Sequence, residues 1–217
     1  MAKSGTKAAV GQPASAGSEE SRQALVRGAV EALRDVGYAG ASAREIARRA
    51  GCNQGLVFYY FGSVPNLLLA ALDEVSETRR LRYQEAVDRA SGLAGLVDTA
   101  QAVFEEDLDA GHIAVLAEMI AGATSTPGLA PEVAARIAPW RTFAADAVGG
   151  VLDGTSLPAL VEPDLLAHAI VALYLGLEML AHLDGDRAPA LSLFDRARQL
   201  TGLLEMFGAV PVQEEAT

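Results

Sequence analysis

The sequence predicts an all-α protein of about nine helices, three of them in a small N-terminal domain. Two observations carry this prediction. Apolar residues recur at helical spacing through most of the chain, and short joints rich in Gly, Pro and Asp interrupt them. No stretch alternates apolar and polar residues over a length that would indicate a strand. The predicted helices cover residues 19–37, 43–50, 54–60, 63–90, 92–111, 112–124, 131–153, 163–183 and 189–207.

Charge divides the chain into two parts. Residues 1–63 carry eight basic and five acidic residues, whereas residues 64–217 carry nine basic and 23 acidic ones. The overall charge of −11 argues against a nucleic-acid binder, but the basic N-terminal part does not share that excess of acid. We therefore expect two functions in one chain, divided as a tail at 1–18, a small domain at 19–79, a larger helical domain at 80–208 and a tail at 209–217.

Two features bear on the cellular compartment. The first tail holds Ala, Gly, Ser and Pro but no apolar run, so it does not resemble a signal peptide. The single cysteine, Cys52, rules out an intrachain disulfide and is typical of a reducing compartment. We expect a cytoplasmic protein in which Cys52 is a small packing residue, with a redox switch as the alternative.

Residues 165–183 are apolar almost all round, and their length approaches that of a membrane span. They nevertheless include His168, Glu178 and His182, lack basic flanks and have no second span to pair with. We expect a helix buried on two sides and no membrane partner. Glu178 and His182 are spaced to share a metal ion or, more simply, a hydrogen bond.

Residues 42–61 have the spacing of a helix-turn-helix. Ser42 is placed to cap the first helix, with Glu45 completing a capping-box pattern. Ala47 is small where the second helix must cross the first, and Gly51 tolerates the positive φ that the turn requires. The remaining positions where the two helices would pack hold small or apolar residues, Ile46, Ala50, Cys52 and Val57.

The second helix of this motif would enter the major groove of DNA with its N-terminal side chains at the base edges. Those residues are Asn53, Gln54, Gly55 and Leu56. Glutamine can bond adenine through two hydrogen bonds, and a leucine can contact the thymine methyl group. At the other end of the helix, Tyr59 and Tyr60 can offer hydroxyls to phosphates, while Phe61 seals the domain. The alternative is that these aromatic residues belong to the core.

The segment "ASAREIARRAGCNQGLVFYYFGSVPNLLLAAL", which follows a helix ending in "VGYAG", resembles the DNA-binding domain of TetR-family transcriptional regulators. The close match covers about residues 19–79. The resemblance implies that Ser42 caps its helix and touches phosphate, that Gln54, Gly55 and Leu56 face bases, and that Tyr59 and Tyr60 face the DNA backbone.

Two departures from the family pattern affect the phosphate contacts. Phe58 stands where a tyrosine is usual, and "SVPN" stands where "SKEE" is common, so one hydroxyl and one lysine are missing. The contacts then depend on Arg44, on Arg22 and on backbone N–H groups near Pro65.

The resemblance implies a bacterial ligand-responsive regulator, most often a repressor, that binds a near-palindromic operator in double-stranded DNA as a homodimer. An unidentified small-molecule effector would release it. The alternative is a helical small-molecule carrier or enzyme that kept a vestigial DNA-binding domain. The sequence holds no nucleophile motif, phosphate-binding glycine loop or metal-ligand cluster, so we expect no catalytic residues, no metal and no cofactor.

An effector cavity and a dimer interface are expected in the second domain. Pro139 should kink its helix and open room between helices. The candidate ligand-binding residues, each of which could instead be ordinary core, are Phe104, Glu118, Met119, Trp140, Phe143, Tyr174 and Glu178. A mainly apolar cavity favours an apolar ligand, and carboxylates buried in it would favour a cationic or hydrogen-bond-donating one. Two helices from each subunit should form a four-helix bundle through Ala169, Ala172, Gly176, Leu193, Leu200 and Leu204.

Overall fold

The computed structural model describes residues 14–152 and 162–208. Within these residues the chain forms nine α-helices and no strand, so the predicted all-α fold is confirmed. The helices are α1 (Ala14–Gly40), α2 (Ala43–Ala50), α3 (Gly55–Phe61), α4 (Val64–Val87), α5 (Gly92–Ala110), α6 (His112–Ala123), α7 (Leu129–Leu152), α8 (Pro163–Asp184) and α9 (Ala188–Gly208). Apart from α1 and the end of α4, every predicted helix end lies within two residues of the observed one.

Helix α1 is longer than predicted at both ends. It begins at Ala14, within the segment expected to be a tail, and it continues to Gly40. The predicted stop at Gly37 is a break inside the helix, where the backbone adopts φ 71° and ψ 178°. Glycine accepts this positive φ because it has no Cβ, so the chain can kink there and resume its helical turns.

The chain divides into two compact units, Met1–Ala71 and Leu72–Thr217. The division falls inside α4, whereas the charge and motif pattern predicts it after residue 79. Helix α4 therefore contributes its first two turns to one unit and its remaining turns to the other.

The core of the first unit forms where α1 packs on α2. Leu25, Ala29, Ala32 and Leu33 recur at helical spacing on α1 and are completely buried, whereas Val36 farther along the helix is 44% exposed. Gly28 lies at the closest approach, because a Cβ placed there would stand 2.9 Å from the carbonyl oxygen of Ile46 and 3.1 Å from the nitrogen of Ala50. Only a residue without a side chain allows the two backbones to come this close.

The core of the second unit joins α5, α8 and α9. Phe104 is completely buried and its ring lies 5.3 Å from that of Phe194, beside Ala181 and Ala190. Helices α7 and α8 also pack on each other. Pro139 lies inside α7, which is helical on both sides of it.

Helix α8 has one covered side and one uncovered side. Residues Asp164–Asp184 are long and apolar enough to cross a membrane by length and composition, with a mean hydropathy of 1.6. Ala167, Glu178 and Ala181 are buried, whereas Leu173 and Leu183 are more than half exposed. The sequence predicts that α8 is buried on two sides, but the described part of a single chain covers only one of them.

Gly28→Val is expected to destabilise the first unit by about 1–3 kcal/mol, because the added atoms would meet the backbone of α2, which cannot rotate away. Chemical denaturation followed by circular dichroism measures the loss. Gly150→Val is the matched control, since a Cβ at Gly150 in α7 meets nothing within 4 Å. Equal stability of the two variants would contradict the close approach of α1 and α2.

Candidate functional site

Helices α2 and α3 are joined by the turn that the sequence predicts. Gly51 ends α2 in the left-handed conformation, at φ 63° and ψ 26°. The nitrogen of Cys52 donates to the carbonyl of Ala47 at 2.9 Å, which closes the turn. The predicted packing residues Ile46, Ala47 and Val57 are buried, and Ala50 and Cys52 are half-buried.

The capping box at the start of α2 forms only in half. The Ser42 hydroxyl accepts from the Glu45 nitrogen at 3.2 Å, as predicted. The Glu45 carboxylate does not return the bond, because it accepts instead from Arg48 at 2.6 Å and from Arg49 at 2.7 Å. Hydrogen bonds from Arg48 and then Arg49 lower the pKa of Glu45 to about 2. Hydrogen bonds from two charged donors are stronger than one from a backbone N–H, so Glu45 bonds to the arginines. The N–H of Ser42 donates instead to the carbonyl of Gly40.

The start of α3 presents a small polar surface. Asn53, Gln54 and Gly55 are exposed, and Leu56 is half-buried. The side-chain oxygen of Asn53 accepts from the Gly55 nitrogen at 2.7 Å, so this oxygen is occupied in stabilising the helix start. Gln54 makes no capping hydrogen bond, which leaves its amide available to an external partner.

The four consecutive aromatic residues have different surroundings. Phe58 is 51% and Tyr59 76% exposed, so neither is a core residue. Tyr60 is half-buried, and its hydroxyl lies 3.0 Å from the Ser18 hydroxyl on α1, a contact that the sequence does not reveal. Phe61 is half-buried beneath the guanidinium of Arg22, 5.5 Å from the ring centre. Tyr59 is therefore the aromatic side chain most open to an external contact.

Positive charge on the first unit is partly unpaired. Arg22 lies 3.5 Å from Glu19, and Arg49 pairs with both Glu45 and Asp35. The exposed side chain of Arg44 forms no ion pair with any residue that the structure describes. Its charge remains available for a phosphate, whereas the charges of Arg48 and Arg49 are offset by neighbouring carboxylates.

A cavity of about 570 Å³ lies within the second unit. Three of the predicted ligand-binding residues, Trp140, Phe143 and Tyr174, line it. The other four are not among its lining residues: Phe104, Met119 and Glu178 are completely buried, and Glu118 is half-buried. A ligand-binding role for these four residues stays a prediction, because residue type alone does not distinguish core from cavity wall.

Arg79 on α4 is the centre of a polar cluster beside this cavity. Its Nη2 donates to Glu178 of α8 at 3.0 Å, to the Tyr83 hydroxyl at 3.2 Å and to Asp107 of α5. Arg79, Asp107 and Glu178 are all buried. The guanidinium also lies 5.3 Å from the ring centre of Trp140, a cation–π distance.

Two hydroxyls and one imidazole complete the cluster. Tyr83 donates to Asp107, and its oxygen lies 3.0 Å from that of Tyr174. The Nδ1 atom of His112 lies 2.9 Å from the other oxygen of Asp107. Four members of the cluster line the cavity: Arg79, Tyr83, His112 and Tyr174. The rest of the wall is apolar apart from a few other polar side chains.

Burial and charge set the protonation of the cluster. Burial raises the pKa of Glu178 to about 8, an effect that the charge of Arg79 only partly offsets. Burial opposes ionisation of Asp107 as well, but the hydrogen bond from His112 and the charge of Arg79 outweigh it and lower its pKa. For Arg79 burial lowers the pKa, but the surrounding acidic groups Glu178, Tyr83 and Asp107 together outweigh burial and raise it. Asp107 and Arg79 are thus the charged pair of the cluster.

Sequence reasoning missed Arg79, Tyr83, Asp107 and His112. Arg79 belongs to a run of arginines and Asp107 to a run of acidic residues, which resemble solvated helix faces. One signal was available: Leu72, Val75, Arg79 and Tyr83 recur at helical spacing, which places the arginine on the buried face of α4.

Glu178 and His182, which are spaced to share a metal ion or a hydrogen bond, have different surroundings: Glu178 is bonded to Arg79, and His182 is exposed. No group of three or more metal-ligating residues was found in the described ranges.

Comparison with known proteins places the first unit among bacterial regulators. The sequence model described as "Bacterial regulatory proteins, tetR family" matches residues 25–71. The chain is 30% identical over 92 residues to the HTH-type transcriptional regulator BetI of Stenotrophomonas maltophilia, a match that covers 42% of this chain and 46% of that protein. An HTH-type transcriptional repressor of Mycobacterium tuberculosis is 38% identical over 71 residues, or 32% of this chain and 38% of the repressor. The match thus spans less than half the length of these curated relatives.

Solved structures share the fold over most of the chain. A TetR-family regulator of Cytophaga hutchinsonii has a TM-score of 0.71 at 16% identity, with 86% of this chain and 95% of that chain covered. The regulatory protein TetR of Rhodobacter sphaeroides has a TM-score of 0.69 at 19% identity, with 82% and 97% covered.

Glu178→Gln is expected to weaken the pH dependence of stability in the second unit. The pKa of Glu178 is about 8 in the folded chain against 4.5 as a reference, so folding takes up a proton between these values. The resulting stabilisation is complete below about pH 4.5 and is lost as the pH rises through about 8. Thermal unfolding across this interval should show a steeper fall for the wild type than for the variant. Glu74→Gln, on the exposed side of α4, is the control, and equal slopes for Glu178→Gln and wild type would contradict the assignment.

Proposed function

Because the chain belongs to the TetR family of bacterial regulatory proteins, we propose that it is a cytoplasmic transcriptional repressor controlled by a small molecule. It binds a near-palindromic operator in double-stranded DNA as a homodimer. An effector enters the cavity of the second unit and releases the DNA. The observation that carries this proposal is the helix-turn-helix. At the start of its second helix, the exposed side chain of Gln54 makes no capping hydrogen bond.

The roles at the DNA surface follow from exposure and chemistry. Gln54 reads a base edge, with Gly55 allowing close approach and Leu56 contributing an apolar contact. Tyr59 and Arg44, both exposed, bind phosphates and set the register of the protein on the duplex. The side-chain oxygens of Ser42 and Asn53 accept hydrogen bonds from backbone N–H groups, and these bonds stabilise the starts of α2 and α3.

The uncovered side of α8 and the adjoining face of α9 support the dimer. Ala169, Ala172 and Gly176 are exposed in the isolated chain, and they permit close helix approach. The large exposed apolar residues of these two helices are Leu165, Ile170, Leu173, Leu180, Leu183, Leu193, Leu200 and Leu203. The side chain of Leu204, also predicted at the interface, lies outside the described part. An apolar area of this extent is typical of an interface between subunits.

Helix α4 belongs to both units, so a change at the cavity can affect the DNA-binding unit. It begins in the first unit, and its second half carries Arg79 and Tyr83 at the cavity wall. An effector that displaces this half moves a continuous helix, and the half-site spacing that the dimer can match changes with it.

The cavity alone would suit a small-molecule carrier equally well, so a carrier that no longer binds DNA is the competing function. Its volume falls in the range typical of drug-sized ligands. A gel shift with the DNA upstream of the protein's own gene discriminates the two, because a carrier would not bind this DNA in preference to unrelated DNA.

Gln54→Ala is expected to lose about 1–3 kcal/mol of binding free energy on the preferred operator and to relax base preference at one position. Tyr59→Phe should weaken binding to all sequences alike, since it removes a phosphate contact. Fluorescence anisotropy on operator and scrambled DNA measures both effects. Gln84→Ala, on the second half of α4, is the control. Wild-type binding by both test variants would exclude α3 as the recognition helix.

Leu200→Glu is expected to convert a dimer into a monomer at micromolar concentration, because it buries an unpaired charge in the proposed interface. Light scattering with size-exclusion chromatography measures the mass. Leu81→Glu is the matched control, as Leu81 on α4 is similarly exposed but lies outside the α8–α9 surface. A monomeric wild type under these conditions would contradict the proposed assembly.

A further inference from the structure

Arg79 has donors left over after its protein contacts are counted. All three hydrogen bonds that the Arg79 side chain donates come from Nη2, and they go to Tyr83, Asp107 and Glu178. Its Nε is buried without a partner, and Nη1 bonds to no residue that the structure describes. A guanidinium has five N–H groups, so the three on Nε and Nη1 have no partner among the described residues. Arg79 lines the cavity, where a ligand atom that accepts hydrogen bonds would satisfy part of this deficit.

The aromatic members of the cluster have acceptors left over. The proton of Tyr83 goes to Asp107, so the contact between the two tyrosine hydroxyls requires Tyr174 to donate to Tyr83. The oxygen of Tyr174 then keeps its own lone pairs. Asp107 is ionised and can only accept, so Nδ1 of His112 donates to it. The cavity thus offers both donors and acceptors at one place.

The cluster already balances its own charge. Arg79 and Asp107 form one ion pair, and Glu178 holds a proton near neutral pH because burial raises its pKa to about 8. The second cationic residue of the wall, Arg136, is paired with Asp73 at 2.7 Å and with Glu132 at 3.1 Å. An anionic ligand would be buried near Asp107 and a cationic one near Arg79, in each case without a counterion of its own.

From these observations we propose that the effector is an uncharged, mainly apolar molecule with one hydroxyl or carbonyl group that accepts from Arg79. A hydroxyl also donates to Tyr174. The inference rests on the proposed function, since it assumes that the cavity of the second unit holds the effector. It narrows the apolar or cationic class that the sequence predicts, because the Glu178 carboxyl that favoured a cation is bonded to Arg79.

Three probes of equal chain length test the charge of the head group: decanol, decanoate and decylammonium. Trp140 is the only tryptophan of the chain and lines the cavity, so its emission reports binding to the full-length protein. At neutral pH decanol should bind at least about tenfold more tightly than either ionised probe. The inference is overturned if decanoate or decylammonium binds as tightly as decanol, or if none of the three changes the emission.

Two variants test the hydrogen bonds, because any apolar cavity disfavours charge. Arg79→Lys should weaken decanol binding about tenfold, since the shorter, differently shaped donor cannot replace the guanidinium. Tyr174→Phe should weaken decanol several-fold but leave decyl methyl ether unchanged, since the ether cannot donate a proton. Ser76→Ala changes a cavity-wall hydroxyl outside the cluster and is the control. Equal losses for alcohol and ether in Tyr174→Phe would overturn the assignment even if Arg79→Lys fails to fold.

A parallel gel shift separates this inference from the proposed function. If decanol binds more tightly than decanoate and decylammonium but does not release DNA, the result supports the ligand class and contradicts control of DNA binding by the cavity. Release of DNA by the ionised probes alone would support control by the cavity and overturn the ligand class.

Discussion

One buried guanidinium determines how the second unit is organised. Arg79 projects from α4 and bonds to Asp107 of α5 and Glu178 of α8, so a single side chain ties three helices together. A buried charge is tolerated only where its partners are held in place. The positions of these helices are therefore constrained by the hydrogen-bonding demands of Arg79 as well as by apolar packing. Removing one partner would leave the others as uncompensated buried groups, which is far more costly than losing a surface ion pair.

The same side chain gives the cavity its polar character. Trp140 and Tyr83 stack against the guanidinium, and Tyr174 and His112 extend the hydrogen bonds along the wall. Because α4 also contributes its first turns to the helix-turn-helix unit, the residue that organises the cavity lies on the helix that leads to the DNA-binding surface. This arrangement suits a protein in which a bound molecule alters DNA binding, as we propose.

Local chemistry explains what could be predicted from the sequence. Helix starts and stops depend on nearby residues, so the Ser42 cap and the left-handed Gly51 follow from the sequence alone. Long-range contacts do not. The Ser18–Tyr60 hydrogen bond, the approach of Gly28 to α2 and the pairing of Arg79 with Glu178 join residues distant in the chain. Residue type and the resemblance to a known family suggested Trp140 and Phe143 and also Phe104 and Met119, but only tertiary packing separates cavity wall from core.

We propose that occupation of the cavity controls DNA binding. It is tested most directly by titrating the protein–operator complex with a compound that releases the DNA, while following Trp140 emission and DNA anisotropy in the same sample. Trp140 contacts Tyr83 at a ring distance of 5.3 Å and lines the cavity, so a bound compound must change its surroundings. Both signals should change over the same concentration range. Release of DNA with unchanged Trp140 emission would contradict it.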